Sequence, residues 1–196
     1  MSILNMKKGL QKRCAKMKER KSFSIYNMVL MALFASVICI VGPLAVPVGP
    51  VPISLMNLVL FMSVYVLGWK KGTIAYLVYL CIGLIGLPVF SGFEGGIGKL
   101  MGPTGGYLVG FIFTTIVSGI IIEKWGCKKF VVGVGMGLGM LIAYGFGTAW
   151  FCASTGNGIV QALWLCVLPF VLGDIVKIIV AISIGNMLRC KIESRH

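Results

Sequence analysis

Apolar residues are gathered into long runs, and the polar or helix-breaking residues fall between them. The first run covers Ile25–Val41 and stops at Gly42-Pro43. The second covers Ile53–Leu67 and is closed by Gly68-Trp69-Lys70-Lys71-Gly72. A third extends over Thr73–Leu87 to Pro88, a fourth over Gly106–Ile122 to Glu123-Lys124, and a fifth over Phe130–Phe151. The last stretch, Val160–Leu188, would measure about 43 Å as one straight helix, against a bilayer core of about 30 Å. Pro169 and Gly173 lie inside it. It is therefore expected to split into a short outer segment, Ile159–Leu168, and a sixth span, Leu172–Arg189. The pattern predicts an all-α integral membrane protein of six transmembrane helices.

Composition agrees. Hydrophobic residues make up 58% of the chain and charged residues 12%, against roughly 25% charged in a soluble domain, and the mean hydropathy is +0.99. Such a surface cannot be kept in water, which excludes a soluble enzyme. At about 20 residues per span, 196 residues leave no room for an appended nucleotide-binding domain. The net charge of +13 could suggest nucleic acid, but eight of the 18 basic residues lie in a tail, Met1–Ser22, directly before the first run. A basic stretch in that position is a topology and anionic-lipid signal. The first run also exceeds the roughly 7–15 apolar residues of a signal peptide, so it is expected to be a retained span. With both tails inside, the inner segments hold 16 of the 18 basic residues, Lys99 alone falls outside, and Lys177 lies within span six. That asymmetry places both termini in the cytoplasm of a cell membrane. The expected organisation is a basic tail over 1–22, a six-helix membrane domain over 23–190, and a short C-terminal tail over 191–196.

The outward loops are then the Gly- and Pro-rich ones: Gly42–Pro52, Pro88–Gly106 and Cys152–Gly158. The second is the longest, and it mixes Phe90, Phe93, Leu100 and Met101 with glycines, so it is expected to fold down rather than connect passively. Catalytic equipment is sparse. The seven cysteines form no C-x-x-C pair, and the one histidine is His196, which removes a His-bound metal site and a Ser–His protease. Gly98-Lys99-Leu100 lacks the rest of a phosphate loop. The glycines at 133, 135, 137 and 139 lie inside a span, where G-x-x-x-G pairs (133/137 and 135/139) suit close helix packing.

Two residues stand apart. Asp174 and Lys177 are the only full charges inside the expected hydrocarbon region, and at i, i+3 they share a helix face. Charges there are costly, face an internal cavity and mark function; a structural ion pair is the plainer alternative. With span six starting near Leu172, Asp174 would sit in its first turn, at the positive end of the helix dipole. An ammonium there suits a carboxylate ligand, and an aspartate suits N–H donors. One acid and one base neither relay protons over several steps nor hydrolyse ATP. The chain is expected to hold a small molecule without catalysing a reaction, and with no cofactor or metal of its own.

Three segments also carry a resemblance: PVPISLMN (Pro50–Asn57), LIGLPVFSGFEGGIGKLMGPTGGYLVGF (Leu84–Phe111) and QALWLCVLPFVLGDIVK (Gln161–Lys177). Together they resemble the BioY family of biotin transporters, the substrate-binding (S) components of energy-coupling-factor (ECF) transporters. The resemblance implies high-affinity biotin uptake through an outward-facing pocket roofed by the first outer loop. It implies binding roles for Asp174 and Lys177, with Asn57, Glu94, Gly96 and Tyr107 lining or shaping the pocket. The chain departs from some members at Met56, Glu94 and Leu108, where they have Gln, an amide and a basic residue. The implied partners are biotin, a membrane coupling subunit and two cytoplasmic ATPases, which alone would use ATP. Docking is implied through small residues of the first helix, here Ala32, Ala35 and Ser36. Two other classes stay open: a small proton-coupled exporter or channel with Asp174 as the proton carrier, and a membrane enzyme of lipid metabolism, which normally needs several acids or a His.

Overall fold

The computed structural model describes residues 25–46, 51–125, 129–156 and 158–194. The basic tail, part of the first outer loop (47–50) and the last two residues lie outside them. Among the described residues the chain forms eight helices: α1 (Ile25–Val41), α2 (Met56–Leu67), α3 (Trp69–Leu84), α4 (Ile97–Met101), α5 (Gly105–Trp125), α6 (Lys129–Thr155), α7 (Ile159–Cys166) and α8 (Leu168–Ser194). Between α1 and α2 a short antiparallel pair, β1 (Ala45–Val46) and β2 (Ile53–Ser54), matches Ala45 with Ser54 and Val46 with Ile53. Helices α5 and α6 are each long and apolar enough to cross a membrane, and α1 and α2 are shorter apolar helices.

The distribution of polarity is turned outside in. Helix α8 exposes Leu172, Ile175, Val176 and Ile179, while Asp174, Lys177 and Ala181 face the interior. Asn57, Ser63, Thr114, Thr115 and Ser118 are buried too. Exposed apolar rows of this kind suit lipid rather than water. Inside, small residues let backbones approach. A Cβ at Gly110 would stand 3.0 Å from Ala143 Cα, and one at Gly139 would meet Thr114 Cγ2 at 3.0 Å and strike Ser118 Oγ. Helices α5 and α6 make the most extensive contact in the molecule, and α8 packs chiefly on α2.

Three expectations change. The break in the last apolar stretch falls at Val167 (φ −123°, ψ −52°), and α8 begins at Leu168 rather than Leu172. Pro169 is accommodated in the first turn, where its missing N–H breaks no helical bond. Asp174 is therefore nearly two turns inside the helix, beyond the reach of the end dipole. Between α2 and α3 the only break is Gly68, at φ +82°, so Lys70 and Lys71 start α3 instead of forming a loop. Of the two glycine pairs, 135/139 packs against α5; a Cβ added at Gly137 would have nothing within 4 Å, and one at Gly133 would meet only Ile182.

The segment between α3 and α5 does fold down. Phe90 is fully buried and its ring occupies the space a side chain at Gly83 would need. A bridge pairs Phe90 with Glu94, turning the chain through Phe93 at φ 59°. The Gly96 N–H donates to Gly83 O at 2.7 Å, and the Gly92 N–H reaches Pro43 O at 3.2 Å. The α1–α2 and α3–α5 connections are thus tied to each other and to the bundle.

Candidate ligand-binding site

Asp174 and Lys177 meet as the helical phase requires. Lys177 Nζ lies 2.9 Å from Asp174 Oδ1, and both side chains are almost wholly buried. The ammonium also donates to Ser54 O at 2.9 Å. The carboxylate accepts from Asn57 Nδ2 at 3.5 Å on Oδ1 and from the Tyr144 hydroxyl on Oδ2. A buried ion pair is stable only when its remaining lone pairs and protons are satisfied, and here α2, α6, β2 and α8 each supply a group. An ammonium has three donors; among the described residues two are in use.

The pair opens on a cavity. It offers about 70 Å³ to the centre of a water-sized sphere, within about 620 Å³ of non-atom space that includes its mouth. Its wall joins the polar cluster to Met56, Tyr107, Leu108, Phe111, Met140 and Phe170. The charged cluster occupies one part of the wall, and apolar and aromatic side chains make up most of the rest, the usual make-up of a small-molecule pocket.

Of the residues singled out in the sequence, Asn57, Tyr107, Asp174 and Lys177 line this cavity. Glu94 and Gly96 do not: Glu94 is more than half exposed and forms an ion pair with Lys99 at 3.0 Å, while Gly96, at φ +87°, shapes the loop above. Met56 and Leu108 also line the cavity. Sequence reasoning missed Tyr144, Ser54 and Tyr79. A lone tyrosine in the glycine-rich fifth run was the available signal for Tyr144; a backbone carbonyl such as that of Ser54 leaves none. The three small residues of α1 divide. Ala32 and Ser36 are exposed, with Ser36 Oγ donating to Ala32 O at 2.8 Å, whereas Ala35 is buried against the bundle. Among the described residues no three His, Cys, Asp or Glu side chains gather as a metal site.

The BioY family model matches residues 15–193, nearly the whole chain. The chain belongs to the BioY family. The biotin transporter BioY of Thermotoga maritima is 37% identical, over 83% of this chain and 95% of that protein. The probable biotin transporter BioY of Pyrococcus horikoshii is 35% identical, over 82% of this chain and 94% of its own. Both names describe transport rather than catalysis. Among solved structures, the S-component for biotin from an ECF-type ABC transporter superposes with a TM-score of 0.79 at 31% identity, covering 84% of this chain and 91% of that one. The BioY fold thus accounts for the helical architecture and marks the chain as a membrane protein.

Proposed function

We propose that this chain is the biotin-capturing membrane subunit of an ECF-type ABC transporter. The observation that carries the proposal is the buried Asp174–Lys177 pair at the wall of a cavity, in a chain whose BioY relatives are named as biotin transporters. Six spans with both termini in the cytoplasm of a prokaryotic cell membrane follow from the apolar runs and the positive-inside rule. That orientation turns the cavity and its two tied loops outward. Asp174 and Lys177 together are neutral, so they suit a neutral group that offers both N–H donors and a carbonyl acceptor. The ureido ring of biotin does. A carboxylate at the same place would set a second negative charge beside Asp174, uncompensated in a low-dielectric site.

Energy must come from elsewhere. Two ATPase subunits and a membrane coupling subunit would supply it, docking on the Ala32/Ser36 face of α1, since small residues allow close helix approach in lipid. A proton-carrier role for Asp174 is served less well, because both of its oxygens are already engaged by protein donors. The deciding experiment is calorimetry on the detergent-purified protein titrated with biotin. Saturable one-to-one binding is expected. No heat with folded protein, together with pH-driven flux in vesicles lacking ATPases, would replace this reading with proton-coupled transport.

A further inference from the structure

Two phenols lie one turn apart on α3 and meet different fates. The Tyr76 hydroxyl donates to Leu108 O at 2.8 Å, satisfied within the protein. The Tyr79 hydroxyl is buried and has no hydrogen-bond partner among the described residues. Tyr79 lines the ligand cavity and Tyr76 does not. The Tyr79 ring is held by its neighbours: Phe90 stands edge-on at 5.6 Å between centroids, and Tyr76 lies 5.6 Å away at 33°. The hydroxyl comes to rest beside Gly42, where a Cβ would be only 3.2 Å from it. Gly42 is a cavity residue too, so the hydroxyl sits where the end of α1 and the wall of α3 meet the pocket.

A buried hydroxyl without a partner is destabilising, and such groups in native proteins call for an explanation. Neither helix geometry nor packing requires one here, because phenylalanine would fill the same aromatic slot. We propose that Tyr79 is a ligand-contacting, specificity-determining residue, whose O–H donates to an oxygen of bound biotin at a wall other than that of the ion pair. The inference rests on the biotin-binding reading above. Helix α3 packs chiefly on α1, α2 and α5, and α8 on α2, so Tyr79 and Lys177 reach the cavity from different helices that share α2 as a neighbour. A ligand held by both would link α3 to α8.

The test replaces Tyr79 with Phe and, as the control, Tyr76 with Phe, in the full-length purified protein. Biotin affinity is measured by calorimetry, and the melting temperature without biotin by intrinsic fluorescence. For Tyr79→Phe the dissociation constant should rise about tenfold, while the ligand-free melting temperature stays level or rises, because an unsatisfied hydroxyl has been removed. Tyr76→Phe should do the reverse, melting earlier and binding biotin normally. Unchanged affinity in Tyr79→Phe would overturn the proposal, and so would a fall in its ligand-free melting temperature matching that of Tyr76→Phe, which would assign the hydroxyl a structural bond. Failure of the unmutated protein to bind biotin would instead defeat the biotin reading, and the melting comparison would still judge whether the Tyr79 hydroxyl is unsatisfied.

Discussion

Removing one half of the Asp174–Lys177 pair should do something different from removing both. At 2.9 Å and an effective dielectric of about 20, the two charges attract by roughly 6 kcal/mol before desolvation is subtracted. Lys177→Met leaves Asp174 buried with only the Asn57 amide and the Tyr144 hydroxyl as donors. An uncompensated buried charge of this kind destabilises by about 3–5 kcal/mol. Asp174→Asn leaves the ammonium with two neutral acceptors, the Ser54 carbonyl and the amide oxygen, and a similar penalty for its uncompensated charge. In the double variant no charge remains, and most of the lost stability should return, because neutral groups of similar volume often replace a buried pair without net loss. Biotin binding should be lost in all three proteins. The assay is a double-mutant cycle, with apparent melting temperature for stability and calorimetry for binding. A coupling energy below about 1 kcal/mol would refute the view that the pair is desolvated and mutually dependent. A folded double variant that binds biotin at wild-type affinity would refute its role in the site.

Other expectations concern the frame around the site. Phe90→Ala empties a fully buried aromatic site and should cost about 3–5 kcal/mol; limited proteolysis within 88–104 should accelerate, and an unchanged cleavage rate would contradict the anchoring role of that ring. Gly139→Ala should lower the melting temperature, since its Cβ would press on Thr114 and Ser118, whereas Gly137→Ala meets nothing within 4 Å and should be neutral; equal effects would show that helix-packing contact is not what distinguishes them. Ala32→Trp or Ser36→Trp should abolish biotin uptake in cells carrying the coupling module while leaving binding to the isolated protein intact. Ala35→Trp, aimed into the core, should instead damage folding and binding together. Loss of binding in the Ala32 variant would show that this face serves the bundle.

How much of this was legible in the chain depends on the range of the interaction concerned. The apolar runs located the long helices because in lipid a helix must satisfy its own backbone, a requirement local enough to be written in consecutive residues. The pairing of Asp174 with Lys177 was legible for the same reason, since i, i+3 spacing fixes a shared face. Helix ends were less so. Gly68 breaks one junction through its positive φ, but Val167 has no breaker identity, and Pro169 marked the wrong point because proline is as much a helix starter as a helix stopper. The Tyr144 partner of Asp174 and the Ser54 partner of Lys177 could not be read. Tyr144 is 30 residues from Asp174, and Ser54 is 123 from Lys177, and such pairings exist only in the packed bundle. The Glu94 side chain turns to Lys99, and no local pattern in the loop could reveal that.

The early start of the last helix, at Leu168, changes why the site is stable. Were Asp174 in the first turn, the helix end would offset up to about 2 kcal/mol of the cost of burying its charge. Nearly two turns in, the carboxylate depends on donors from three helices, and Lys177 depends on a carbonyl of the β1–β2 pair. The same Ser54 donates through its hydroxyl to Gly42 O at 3.3 Å, at the end of α1, and Pro43 in turn accepts from Gly92 of the second outer loop. Hydrogen bonds on either side of the Gly42–Pro43 peptide bond therefore connect the ion pair through the first loop to the second. A ligand that draws on Lys177 is expected to slow hydrogen exchange at the Gly92 amide. Ser54→Ala, which removes the bond to Gly42, should abolish that slowing, and exchange unchanged by biotin in the unmutated protein would refute the coupling.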